Sequence, residues 1–226
     1  MILRARNKIG RVALRILFGP GMAARGDLQR LGSSYGGWVV ATSMLSEDSI
    51  CYCAGVGEDI SFDLALIEMF GCDVFAFDPT PRAVKYVEDN AAEVDRFHFY
   101  EVGLWSSHDT LQFYAPEDPA HVSHSVVNLQ RTATFFEAEC KRLSSLMEEL
   151  GHDRLDLLKL DIEGAEYEVL DSLIEDGIEP SIICVEFDPP DPIRKNVSMV
   201  RKLKAYGYSL VSIDAWNYTF VWQGRL

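Results

Sequence analysis

No apolar run in this 226-residue chain approaches the roughly 18–20 uninterrupted residues that a membrane-spanning helix needs. The five cysteines (Cys51, Cys53, Cys72, Cys140, Cys184) are odd in number and form no C-x-x-C pair. That argues against a disulfide framework and against a zinc site. Free thiols in apolar segments pack as small hydrophobes, and a reduced, intracellular and cytoplasmic protein is expected. No G-x-S-x-G elbow is present, so nothing supports Ser-His-Asp hydrolysis. The chain also lacks repeats, low-complexity tracts and long linkers. Disorder is excluded by a hydrophobic content of 48%, with 11% aromatic residues.

Positive charge is scarce and unevenly placed. The net charge is −14, yet residues 1–31 carry seven Lys/Arg against Asp27 alone, or +6. The remaining 14 basic and 34 acidic residues give −20. Such an acidic body repels a phosphate backbone, so no nucleic-acid partner is expected. Within the basic head, residues 2–18 read as an amphipathic helix. Ile2, Ala5, Ile9, Val12, Ala13 and Ile16 form one stripe, and Arg4, Lys8, Arg11 and Arg15 another. Gly19-Pro20-Gly21 ends it. Arg11 and Arg15 interrupt what a secretory signal would need as its apolar region. The helix then either contacts an anionic membrane surface peripherally, at its inner face, or packs on the domain or a second subunit. The chain divides into an extension, 1–31, and one domain, 32–226.

From residue 49 the pattern alternates strand and helix. Strands are expected at 50–54, 73–77, 97–102, 155–160, 181–187, 208–213 and 218–222. Helices are expected at 60–70, from Pro81 to about 92, and at 143–150, 165–175 and 197–206. The middle, 104–142, holds short β-like pieces at 111–114, 126–129 and 134–136, inserted beside the sheet. Repeated βα units in a chain of this size predict an α/β fold with a doubly wound, mostly parallel sheet.

Ligands in such a sheet lie beyond the carboxyl ends of the strands. The first end is Cys53-Ala54-Gly55-Val56-Gly57-Glu58-Asp59-Ile60, where Gly55 and Gly57 permit close backbone approach. Asp78 follows Gly55 by 23 positions, about the spacing at which an acid meets a ribose diol. The third glycine of a dinucleotide fingerprint is absent, its place taken by Ile60. Glu58 and Asp59 on the turn would repel pyrophosphate, whereas a ligand carrying a sulfonium and an ammonium tolerates them. S-adenosylmethionine (SAM) has both, and a ribose for Asp78. The plainer reading is a tight turn whose acids complement the helix dipole.

A second strand end carries Lys159-Leu160-Asp161-Ile162-Glu163-Gly164-Ala165-Glu166. Here the sequence resembles the FkbM family of SAM-dependent O-methyltransferases, whose pattern of Lys, apolar, Asp, apolar, Glu, Gly, small, Glu is matched. The resemblance runs from Tyr35-Gly36-Gly37-Trp38 through the glycine loop and Phe77-Asp78-Pro79 to Val185-Glu186-Phe187 and the aromatic strand 218–222. It departs at Cys53, where the family has an acid, and at residues 55–59, where the family has Gly-Ala-Asn-x-Gly. The resemblance implies a class I methyltransferase (Rossmann-like) fold of seven strands, with an antiparallel hairpin at one edge.

Methyl transfer to a hydroxyl needs in-line alignment and a group to take the proton. The expected catalytic residues are Asp161, Glu163 and His124. Asp161 serves either as base or as holder of the SAM ammonium, and Glu186 is able to share the role or to partner a backbone turn. The expected cofactor residues are Gly55, Gly57, Glu58, Asp78, Gly103, Leu104 and Asp161, with Gly103 and Leu104 lining adenine by fold analogy. Trp38 is either a lid or a packing aromatic. Asp161, Glu163, Glu186 and Asp188 offer hard oxygen ligands, but no spacing specifies a metal site and none is assigned. The expected acceptor is a small molecule or glycan bearing a hydroxyl: a sugar, glycolipid or polyketide-like metabolite. The alternatives are a nicotinamide-dependent oxidoreductase or epimerase, and a non-catalytic binding module on the same fold.

Overall fold

The computed structural model describes residues 18–115, 132–187 and 193–224. In chain order its first elements are β1 (Leu28–Leu31), β2 (Trp38–Ala41), β3 (Ile50–Ala54), α1 (Ser61–Phe70), β4 (Asp73–Phe77), α2 (Pro81–Asn90) and β5 (Phe97–Tyr100). Then come β6 (Gly103–Leu104), β7 (Asp109–Tyr114), β8 (Phe135–Lys141), α3 (Leu143–Leu150) and β9 (Leu157–Leu160). The last are α4 (Glu166–Asp176), β10 (Ile182–Glu186), α5 (Ile193–Tyr206), β11 (Tyr208–Asp214) and β12 (Asn217–Trp222).

Seven strands form one sheet in the order β11-β12-β10-β9-β3-β4-β5. The pairs from β10 to β5 are parallel, whereas β12 runs antiparallel to both neighbours. This is the seven-stranded arrangement with an antiparallel hairpin at one edge that the resemblance implied. Alternation along the strands sorts side chains onto two faces. Tyr52 and Ala54 of β3 join a core with residues of α3, α4 and α5, such as Leu143, Leu170 and Leu203. Cys51 and Cys53 face the opposite core with Phe62 and Leu66 of α1 and Val87 of α2. Helices therefore cover both faces. All five cysteines are buried and free.

From β3 the chain moves outward to β4 and β5, and from β9 it moves the other way to β10. Strand order thus reverses between β3 and β9, and their carboxyl ends open the crevice where ligands of such sheets lie.

Two features depart from the sequence pattern. The hairpin β1–β2 was not foreseen, because each strand is only four residues long and a glycine-rich turn separates them. Its pairing of Leu31 with Trp38 joins residues on both sides of the expected 31/32 division. In the middle segment, β7 and β8 pair antiparallel and β6 joins β8, so the short piece expected at 134–136 is a seven-residue strand. The pieces expected at 126–129 and 2–17 lie outside the described residues. Phe18 is described: it is buried, with its ring centroid 6.3 Å from that of Tyr218. Among the described residues no helix is long and apolar enough to cross a membrane.

Candidate active site

The glycine loop leaves β3 with Gly55 at φ +83° and Gly57 at φ +56°. A Cβ on Gly55 would collide with the backbone carbonyl of Asp161, so the ends of β3 and β9 touch with no room for a side chain. At Gly57 the corresponding space is open. The loop is held from the next strand. Oδ2 of Asp78 accepts the Val56 and Gly57 amides, each at 2.9 Å. Its Oδ1 accepts the Thr80 amide at 2.8 Å and the Thr80 hydroxyl at 2.6 Å. Thr80 in turn accepts the Ala83 amide, capping α2, where Pro81 begins the helix without wasting a donor. Asp78 is 5% exposed, and these bonds use about all four acceptor positions of its carboxylate. A ribose diol would have to displace one of them.

The second wall is the turn after β9. Glu163 adopts a left-handed backbone at φ +53°, unusual for a residue with a side chain. What holds it there is Glu166. Its Oε1 accepts the Ile162 amide at 2.8 Å and its Oε2 the Gly164 amide at 2.9 Å. Glu166 is 1% exposed, and burial pushes its carboxyl up to about 8. The last acid of the sequence motif therefore shapes the turn from beneath, while Asp161 and Glu163 border the crevice. Lys159 donates to the Gly55 carbonyl and lies 3.5 Å from Asp161 Oδ2.

The crevice is a cavity of about 130 Å³. That is roughly ten times what a single buried water requires, so the crevice is more than a packing void. Gly55, Gly57, Glu58, Asp78, Gly103, Leu104, Asp161 and Glu163 all line it. His124 and Asp188 lie outside the described residues. Glu186, half-buried at the end of β10, is not among the lining residues. Tyr35, Thr80, Phe113 and Lys159 also line the cavity and were not singled out as site residues. Lys159 and Tyr35 stood inside matched segments, whereas nothing local marks Thr80 or Phe113. Trp38 is 1% exposed and serves as packing; the aromatic standing open at the mouth is Tyr35, 83% exposed.

The two acids of the glycine loop already have partners. Glu58 pairs with Arg82 at 2.8 Å, and Asp59 is engaged by the Ser33 hydroxyl at 2.6 Å and the Ser61 amide at 2.8 Å. These two acids are thus held by neighbours, and Asp59 fastens the β1–β2 turn to the start of α1. What denies the loop to a phosphate is Asp78, which already occupies the Val56 and Gly57 amides that an anion would need. Among the described residues no group of three or more His, Cys, Asp or Glu is placed to hold a metal ion.

Residues 52–210 match the model of the Methyltransferase FkbM domain. "Probable methyltransferase-like protein 24" of Homo sapiens and of Rattus norvegicus are each 28% identical over 130 residues, which is 57% of this chain. The match covers 29% of the length of those relatives. Among solved structures, precorrin-6y C5,15-methyltransferase of Geobacter metallireducens aligns with TM-score 0.47 and 13% identity, over 81% of this chain and 87% of that one. The Methanococcus jannaschii fibrillarin pre-rRNA processing protein aligns with TM-score 0.47 and 12% identity, over 88% and 84% of the two chains. With the family model spanning the sheet from β3 to β11 and both walls of the crevice, the chain belongs to the FkbM methyltransferase domain family.

Proposed function

We propose that the crevice binds SAM and that the protein methylates a hydroxyl of a small-molecule or glycan acceptor, such as a sugar, glycolipid or polyketide-like metabolite. One observation carries the choice of cofactor. The loop amides are capped by Asp78, so the crevice meets its ligand with carboxylates and open glycine backbone rather than with an anion cradle. When bound, SAM supplies an electrophilic methyl group on a sulfonium.

The protein's part is alignment and proton handling. Gly57 leaves the loop open to the ligand, Gly55 lets the two walls meet, and Gly103 and Leu104 offer an apolar wall for adenine. Asp161, steadied by Lys159, is suited to orient the ligand ammonium. Glu163, which borders the crevice, is suited to receive the hydroxyl proton, with His124 as the alternative acceptor. Glu58 borders the methionine end. Asp78 either keeps its loop contacts or exchanges one for the ribose. The basic segment 2–18 supports a peripheral membrane contact, and the burial of Phe18 on Tyr218 supports docking of its C-terminal end on the domain.

Calorimetry of the full chain with SAM and with NAD tests the cofactor. Saturable SAM binding with no heat from NAD is expected, and tight NAD binding without SAM would overturn the proposal. Labelled SAM incubated with the protein and candidate alcohols should then deliver label to an ether-linked product.

A further inference from the structure

Lys159 takes no part in the proposed methyl or proton transfer itself, yet it is a buried charge. It lies in β9, 6% exposed, flanked in the sheet by Cys53 of β3 and Cys184 of β10. An ammonium out of water is costly unless opposite charge and hydrogen bonds replace its hydration. Those replacements come from both walls of the crevice. Lys159 Nζ donates to the Gly55 carbonyl of the glycine loop and lies 3.5 Å from Asp161 Oδ2 on the second turn. Beneath it the Trp38 ring offers its face at 5.8 Å.

Asp63 completes the set from α1. It is 5% exposed, its Oδ1 has no hydrogen-bond partner among the described residues, and its charge and that of Lys159 act on each other. Burial pushes the Asp63 carboxyl up to about 6, with Lys159 pulling the other way. For Lys159, burial lowers the ammonium, but Asp161, Asp63, Cys53 and Asp78 outweigh it and raise it overall. The Cys184 thiol faces the same charge from β10.

We propose that Lys159 is a positioning residue: its ammonium ties the Gly55 carbonyl of one crevice wall to the Asp161 carboxylate of the other. The loop and the turn already meet where Gly55 lacks a side chain, and the Asp161 amide donates to the Ala54 carbonyl at 3.1 Å. Lys159 adds the side-chain tie directly below that contact. The inference rests on the proposed function for the identity of the ligand, SAM; the tie itself belongs to the protein alone.

The test separates the burial of charge from positioning. Lys159→Met leaves Asp63 buried without its counter-charge, so a large fall in melting temperature is expected. Lys159→Met combined with Asp63→Asn should recover most of that fall, because no charge is then stranded. SAM affinity by calorimetry should nevertheless stay weaker by about tenfold or more in the double variant. Hydrogen exchange at residues 55–57 should be faster than in the unsubstituted protein, with α4 unchanged. Wild-type affinity together with wild-type exchange in the double variant would overturn the proposal. Asp63→Asn alone retains the tie, so its affinity should stay within about twofold of the unsubstituted protein. A loss near tenfold there, with the tie intact, would overturn the assignment of positioning to Lys159, and this arm stands even if the double variant fails to fold. If the unsubstituted protein binds no SAM, the cofactor reading falls, and exchange at residues 55–57 still decides whether Lys159 holds the loop.

Discussion

The loop after β3 and the turn after β9 face each other across the crevice, and each is held by one buried carboxylate accepting two backbone amides. They differ in the origin of that carboxylate. Glu166 closes its own turn from two and four residues away. Asp78 reaches the loop from another strand, 22 and 21 residues on, and is itself anchored to Thr80 at the start of α2. The two amides that fix the β9 turn are therefore accepted from within the start of its own helix. The glycine loop is fastened by contacts that exist only where β3 and β4 are paired, so its anchor is long-range and that of the turn is local.

Breaking the long-range wall should cost most. Asp78→Ala strands the amides of Val56, Gly57 and Thr80, and a loss of about 2–4 kcal/mol in stability is expected. Denaturant unfolding measures it, and SAM binding should disappear with it. Unchanged stability would mean that the loop stands without Asp78 and would erase the contrast between the two walls.

The local wall should give a smaller effect with a pH signature. The Glu166 carboxyl, ordinarily near 4.5, is pushed up to about 8, so the folded protein holds a proton there that the unfolded chain has released. Stability from this group therefore declines as pH rises from about 4.5 through about 8. Asp63 behaves alike, but its decline ends near its folded value of about 6. Melting temperatures from about pH 6.5 upward should fall less steeply in Glu166→Gln, which also costs about 1–2 kcal/mol through its lost acceptor. An equal slope in both proteins would remove Glu166 as the titrating group.

The smallest effect is expected at the rim. Glu58 and Arg82 form a half-exposed pair, with side chains 44% and 39% accessible. Arg82→Ala should cost less than about 1 kcal/mol and leave SAM affinity within about twofold. A tenfold loss of affinity would move this pair from the rim into the binding surface.

What could be read in advance follows the range of the interactions. The helix 143–150 and the strand 73–77 were legible to the residue, because apolar period and turn residues are local signals. The turn 161–166 was legible because its acids, its glycine and its anchor fall within a few positions. Asp78 was picked out by spacing, with a ribose in mind; its contacts with Val56, Gly57 and Thr80 were not visible, since they depend on which strand neighbours which. The same holds for Glu58 and Asp59, whose charges pointed away from phosphate in the sequence but are engaged by Arg82, Ser33 and Ser61 in the fold. The hairpin β1–β2 escaped because four-residue strands carry too little period to register.

By itself, the chain's pattern of alternating βα units and its Lys159–Glu166 motif determined the sheet, the position of the crevice and the acids that border it. Periodicity and short-range turn chemistry need no knowledge of distant contacts. Only the tertiary structure decided what those groups do there. It turned Asp78 into the fastener of the glycine loop, Glu166 into that of the second turn, and Lys159 into a buried tie between them. The reason is that a carboxylate or an ammonium takes its role from the donors and charges that folding brings within about 3 Å of it, and the loop partners of Asp78 and Lys159 lie 21 to 104 residues away in the chain.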